Sequence, residues 1–356
     1  SKPDGQTIEI AMKKHAATGS VRQGTLFMNP GGPGGSGVDN VGAMATTTFA
    51  GVQKAYDIIG FDPRGVGSST AVNCTSDTEL EAKTEDAPVN AGEAATTFEQ
   101  RAAVISAQFK QFEASCAAGT KPAELLDHVD TVSVARDLDV LRALSGDQKL
   151  NYAGFSYGTY LGAHYAELFP ANTGRMFLDG ALDPSLSVDE ISALQMRGLD
   201  ASLQQWISDC ATQASCPMGH SREEGIATVR SFLESLEKNP LTTNDPNRPL
   251  TEGLAVTAMT GSMYNTTRWP QLTQAFAAAW QKGDGTAMLA IADLMNSRNP
   301  DGTYADNSAD AINAINNLDY EPEGSSEQWV SQAAALKSEL SILGRYVGYP
   351  SAALSA

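Results

Sequence analysis

A serine flanked by glycines stands at a strand-to-helix junction in this chain. Gly154-Phe155-Ser156-Tyr157-Gly158 is G-x-S-x-G, preceded by the apolar run "LNYAGF" and followed by the helical pattern "YGTYLGAHYAELF". That context predicts a nucleophile elbow, a sharp turn that lifts the serine hydroxyl above a sheet. Ser156 is therefore the candidate nucleophile. The N–H of Tyr157, at the helix start, would face the same point and stabilise a developing oxyanion.

A second stretch, "NPGGPGGSG" at residues 29–37, has six glycines and prolines in its first seven positions. Glycine loses more conformational entropy on folding than any other residue, so such a loop needs a purpose. Two readings compete. Gly32, Gly34 and Gly37 match G-x-G-x-x-G, and Asp62 ends the next apolar run, "YDIIGFD". That is the pattern of a dinucleotide site. The other reading is an oxyanion loop that supplies a second N–H to the nucleophile. The dinucleotide reading leaves "GFSYG" without a role and puts Pro33 in the tight turn, so the oxyanion reading is preferred. Gly32 is the chosen donor, with Gly31 and Gly34 as near alternatives. No cofactor is expected.

The elements that position these residues follow from the texture of the 356-residue chain, which is 42% apolar and long enough for a large core. Over residues 1–184, "TIEIAM", "GTLFMN", "YDIIGFD", "LNYAGF" and "RMFLDGA" are short apolar runs ending in turn residues, as in buried parallel strands. Helical patterns separate the last three; "VSVARDLDVLRAL" puts Val134, Leu138 and Leu141 on one face. Strand–helix alternation predicts an α/β fold with a mostly parallel sheet and helices on both faces. Residues 185–345 read instead as helices and polar loops, a helical cap or insertion. Residues 346–356 begin a return to the core.

Lys plus Arg number 24 against 42 Asp plus Glu, a net charge of −18. That balance argues against nucleic acid or an anionic membrane as partner. No run of 18 apolar residues predicts a membrane span, and "SKPDGQTIEI" is already close to a strand pattern, so any secretory leader is expected outside these residues. The four cysteines, Cys74, Cys116, Cys210 and Cys216, form no C-x-x-C, so no metal site is expected. Their even count suits two disulfides in an exported protein, or four free core thiols.

"NPGGPGGSG", "YDIIGFDPRGVGSS", "NYAGFSYGTYLGAHYAELFP" and "RMFLDGALDP", in that order, resemble the secreted tripeptidyl-aminopeptidase branch of the prolyl-iminopeptidase-like α/β-hydrolases. The resemblance covers residues 5–185 strongly and the cap weakly. It implies an α/β-hydrolase fold and an exported Ser-Asp-His exopeptidase that removes short peptides or residues from free N-termini. A carboxylesterase of the same fold and a non-catalytic binding protein are the alternatives. The substrate would be a peptide or an ester, and the location secreted or cell-envelope. With an exported family in view, Cys74 is expected to pair with Cys116 and Cys210 with Cys216.

The chain departs from that family in its histidines. The family carries its catalytic Asp and His after the cap, on the last two strands, whereas no histidine here follows His220. The expectation is that the last strands are missing, that the triad Asp and His lie beyond Ala356, and that the edge of "RMFLDGA" is bare. His15 and His128 read as surface residues, His164 as a hydrogen-bonded core histidine, and His220 as a loop residue. Asp179 and Asp183 read as structural, and Asp62 and Arg64 as a pair bracing their loop. "AINNLD" resembles a family segment that often has cysteine where Asn317 stands.

Overall fold

A computed structural model describes residues 5–85, 98–348 and 350–354. In chain order its strands are β1 (Met12–His15), β2 (Gly24–Asn29), β3 (Tyr56–Phe61), β4 (Leu150–Phe155) and β5 (Thr173–Asp179). Its α-helices are α1 (Gly37–Thr46), α2 (Asp77–Glu85), α3 (Phe98–Gly119), α4 (Thr131–Leu144), α5 (Tyr157–Leu168), α6 (Val188–Ala211), α7 (Arg222–Lys238), α8 (Glu252–Ser262), α9 (Trp269–Lys282), α10 (Thr286–Met295), α11 (Ser308–Asp319), α12 (Ser326–Glu339) and α13 (Pro350–Leu354). The chain divides into two compact units. The first holds residues 1–75, 110–187 and 306–321; the second holds 76–109, 188–305 and 322–356. Residues 306–321, which look like cap in the sequence, thus fold with the sheet.

The first unit is built on a sheet of order β1-β3-β2-β4-β5. β2 runs parallel to β3 and β4, and β4 to β5. Side chains alternate across this sheet. Phe27, Ile59 and Tyr152 enter one cluster with Val134, Leu138, Leu161 and Tyr165 of α4 and α5. Their neighbours Met28, Ile58 and Ala153 enter another with Val41 and Ala45 of α1. This period of two lets each central strand bury both faces, and each fully buried Leu, Ile or Phe contributes about 1.5–3 kcal/mol. Caps fix the helix starts: Ser36 accepts from Asp39 N–H at α1, and Asp130 from Ser133 N–H at α4.

The first edge differs from the sequence expectation. The first strand lies at Met12–His15 rather than in "TIEIAM", and it is antiparallel to β3. The reason is where the backbone of residues 9–11 finds partners. Thr70 N–H donates to Glu9 O (2.9 Å), Ala11 N–H to Ser69 Oγ (2.9 Å), and Asp62 N–H to Ala11 O (3.0 Å). The loop after β3 therefore uses the polar groups that a ladder would need. At the other edge, β5 pairs with β4 alone among the described residues. Phe177 is 53% and Leu178 39% exposed there, on the edge expected to be bare, although the apolar run by itself reads as a buried strand.

The second unit is helical. Trp206, Phe232 and Phe276 meet edge-on at its centre, with ring centroids 5.0–6.0 Å apart. Arg248 forms a two-point ion pair with Asp293 and a further one with Glu81, which Arg298 also engages. Among the described residues no helix is long and apolar enough to cross a membrane. Among the described residues no group of three or more His, Cys, Asp or Glu is placed to hold a metal ion.

Candidate active site

Ser156 occupies the turn between β4 and α5 with φ 52° and ψ −121°, a conformation that few L-residues adopt. The turn is held from three sides. Ser156 N–H donates to Asp179 O (2.9 Å) at the end of β5. Ser156 O accepts from the Thr159 N–H (2.8 Å) and hydroxyl (2.6 Å). The buried Tyr152 hydroxyl donates to Gly158 O (2.8 Å). The flanking glycines are obligatory. A Cβ on Gly154 would lie 2.2 Å from Gly158 O, and one on Gly158 would lie 2.7 Å from Asn29 O. The Ser156 side chain is half-buried, and its hydroxyl has no hydrogen-bond partner among the described residues. Tyr157 opens α5, so its N–H has no carbonyl one helical turn earlier to bond.

The glycine loop after β2 lies against this turn. A Cβ on Gly31 would meet Phe155 O at 2.4 Å, Ser156 Cβ at 3.1 Å and Tyr157 N at 3.3 Å. Gly31, Gly32 and Gly34 have φ of 96°, 118° and 101°, which only glycine holds without strain. The three candidate donors differ in their surroundings. Gly31 N–H donates to Asn29 Oδ1 (2.9 Å) and is occupied. Gly34 packs on Ser308 and Ala311 of α11. No hydrogen bond from Gly32 N–H is formed within the loop.

Further side chains fix the loop's ends. Asp62 is fully buried and accepts from Ser36 Oγ (2.8 Å), Val38 N–H (3.0 Å) and Ser68 N–H (2.8 Å). Asp62 thus braces the loop without Arg64. The expected Asp62–Arg64 pair does not form, because Arg64 makes a two-point bond to Asp137 (2.6 and 2.7 Å) and another to His128 O. Asn307 ties the loop after β3 to the segment before α11, accepting from Gly67 N–H (2.9 Å) and donating to Gly65 O and Val72 O. Asp310 accepts from the Cys74 and Thr75 N–H groups. Asn29, Asn307 and Asp310 escape sequence reading. Only Asn29, the first residue of the glycine motif, carries a local signal.

Cys74 is bonded to Cys116 in the first unit, and Cys210 to Cys216 in the second. Native bridges of this kind contribute about 2–4 kcal/mol each.

No histidine of the first unit reaches Ser156. His164 Nδ1 bonds Tyr160 O (2.9 Å) one turn back in α5, and its ring lies 4.3 Å from that of Tyr160. His15 lies in β1, and His128 in the 3₁₀ turn before α4. In the second unit, His220 donates its backbone N–H to Glu224. The geometry therefore brings together a strained serine, whose hydroxyl is a nucleophile by type, and a helix-start N–H and a glycine loop of the kind that can receive an oxyanion.

Residues 24–320 match the family profile described as the alpha/beta hydrolase fold. Serine protease Hip1 of Mycobacterium tuberculosis is 35% identical over 329 residues, covering 90% of this chain and 61% of that protein. Carboxylesterase B of the same organism is 34% identical over 351 residues, 98% of this chain and 66% of its own length. Tripeptidyl aminopeptidase of Streptomyces lividans is 38% identical over 252 residues, 68% of this chain and 45% of that protein. The chain thus spans less than two thirds of the length of these relatives. With its mostly parallel sheet, its strand–Ser156–helix turn and a profile match across most of its length, this chain belongs to the α/β-hydrolase fold family.

Proposed function

We propose that this chain carries the nucleophile and oxyanion site of an exported serine hydrolase that removes short peptides or residues from free N-termini. The observation that supports it most is the conformation of Ser156, whose N–H is bonded to Asp179 O at the end of the neighbouring strand. Ser156 Oγ attacks the scissile carbonyl carbon, and the carbonyl oxygen becomes an oxyanion. The N–H groups of Tyr157 and Gly32 receive that charge. A general base other than the first unit's histidines takes the Ser156 proton and passes it to the departing amine, and collapse leaves an acyl-Ser156 that water then hydrolyses. An uncharged hydroxyl is a weak nucleophile, and none of the three histidines in the first unit is placed to accept its proton. The two disulfides support an oxidising, extracellular location.

A carboxylesterase is the second reading, favoured by the relative of that name, which matches 98% of this chain. One experiment addresses both. A fluorophosphonate probe, with imidazole added as external base, should modify Ser156 in the wild type and nothing in Ser156→Ala. Absence of Ser156 modification at any imidazole concentration overturns the hydrolase reading. Imidazole-assisted turnover of tripeptidyl p-nitroanilides supports the peptidase. Turnover confined to p-nitrophenyl esters replaces it with the esterase.

A further inference from the structure

Three helix ends of the first unit converge behind the elbow. Thr131 is the first residue of α4, Tyr157 the first of α5 and Asp319 the last of α11. They are joined by an unbroken chain of hydrogen bonds. The Tyr157 phenol bonds the Thr131 hydroxyl, and that hydroxyl donates to Asp319 Oδ2 (2.6 Å). Thr131 N–H donates to Asp319 Oδ1 (2.8 Å). Because the Thr131 hydroxyl proton goes to the carboxylate, the phenol proton must point to Thr131. The direction of the whole chain is thus set by the charge on Asp319.

We propose that Asp319, acting through Thr131, is a positioning residue: it fixes the buried Tyr157 phenol and with it the aim of the Tyr157 main-chain N–H beside Ser156. The inference rests on the reading of Ser156 and Tyr157 given above. Three observations carry it. Tyr157 is 3% exposed and Thr131 is 1% exposed, so neither hydroxyl can exchange its partner for bulk water. The carboxylate lies at the N-terminus of α4, where it satisfies one of that helix's unpaired donors and the helix dipole favours its charge. And the residue so anchored is the neighbour of Ser156, whose N–H must be aimed to within a fraction of an ångström to serve as a donor.

The groups facing Asp319 set when the anchor is charged. Burial raises its carboxyl to about 6, the bonds from Thr131 oppose this, Asp130 at the α4 cap adds to it, and His164 on α5 lowers it. Tyr160 and Tyr320 line the same place; burial raises both phenols and keeps them neutral. Above about pH 6 the carboxylate orders the chain. Below it, a protonated Asp319 accepts more weakly and the Tyr157 anchor loosens.

The test uses the rate of Ser156 phosphonylation in imidazole. Loss of a whole oxyanion donor costs about 10²–10³ in rate, so misaiming one should cost roughly tenfold. Asp319→Asn and Thr131→Val should each lower the limiting rate by about that factor with unchanged probe affinity, and Thr131→Ser should restore it. The ratio of wild-type to Asp319→Asn rates, in which the titration of imidazole cancels, should rise through about pH 6. In protein labelled with 15N-tyrosine, the Tyr157 amide signal, assigned by its loss in Tyr157→Phe, should titrate with the same midpoint in the wild type and stay flat in Asp319→Asn. Equal rates in Asp319→Asn and wild type at pH 8, or a pH-independent Tyr157 amide, would overturn the inference. Failure of the wild type itself to react would instead strike at the reading of Ser156, while the amide titration would still judge the anchor.

Discussion

Ser156 in the first unit and Ser297 in the second are the two non-glycine residues with a left-handed φ among the described residues, at 52° and 56°. Their surroundings have little in common. Ser297 follows α10 at the position just past its cap. Its N–H bonds Leu294 O, and Arg298 N–H bonds Asp293 O, the two closing bonds of a Schellman motif. The conformation there is local helix-ending chemistry, and glycine would hold it with less strain. Ser156 stands at a helix start, its ψ of −121° is far from the left-handed helical value, and its N–H reaches β5. Strain of this second kind costs about 1–3 kcal/mol and persists only where distant parts of the fold over-determine it. A positive φ alone therefore marks nothing; the reach of the bonds that impose it does.

Glycine at each position would sharpen that contrast. Ser156→Gly should relieve the turn and raise stability by about 1 kcal/mol, while abolishing phosphonylation completely. Ser297→Gly should give a similar gain with labelling unchanged. Urea unfolding and probe labelling read the two quantities. If Ser156→Gly were destabilising, the turn would not be strained and the comparison would collapse.

The glycines offer the next largest effect. Gly31→Ala places a Cβ 2.4 Å from Phe155 O at φ 96°, and the neighbour is backbone that cannot move aside. Its expected cost is roughly 4 kcal/mol, with labelling lost as the loop retreats from Ser156. Gly283→Ala has φ 71° and nothing within 4 Å of the new Cβ, so it should cost about 1 kcal/mol and leave labelling intact. Equal unfolding midpoints for the two variants would show that the loop is not pressed against the elbow.

What the sequence made legible follows the same line between local and distant causes. The strand–turn–helix around Ser156 and the glycine run are written in consecutive residues, because a sharp turn needs its special residues at fixed spacing. The partners of the loop after β3 are not. Asn307, Asp310 and Asp319 reach it or Thr131 across 188–242 residues of chain, from a helix whose composition resembles that of the second unit's helices. The misplaced first strand has a similar cause. Ile8 and Ile10 suit a strand, but the backbone between them and β1 is claimed by Thr70, Ser69 and Asp62. Arg64 likewise faces a choice of carboxylates that its own neighbourhood in the sequence cannot decide.

A pH-dependent effect separates the two units by their partly buried acids. In the second unit Glu81 is set between cations. Burial works against its charge, but Arg298, Tyr304 and Arg248 together lower its carboxyl below the usual value of 4.5. Its contribution to stability is present above that value and is lost as the pH falls through the lowered one. Asp319 in the first unit has hydroxyl and amide donors and, among the described residues, no ion pair, and burial raises its carboxyl from 3.8 to about 6. The sign is therefore reversed. The folded state holds the proton more tightly than the unfolded chain, so the stability contributed by protonated Asp319 is complete below about pH 3.8 and is lost as the pH rises through about 6. A lift from 3.8 to about 6 corresponds to roughly 3 kcal/mol, an upper value because the native carboxylate relaxes toward its donors. Asp319→Asn has no such titration. Its unfolding free energy relative to wild type should thus increase by up to about 3 kcal/mol between pH 4 and pH 7, measured by urea unfolding at each pH. The wild type would be more stable at pH 4, where Asp319 is neutral, and more reactive at pH 7, where the charged carboxylate aims Tyr157. A difference between variant and wild type that stays flat across this range would mean that Asp319 does not change charge there, and the contrast with Glu81 would disappear.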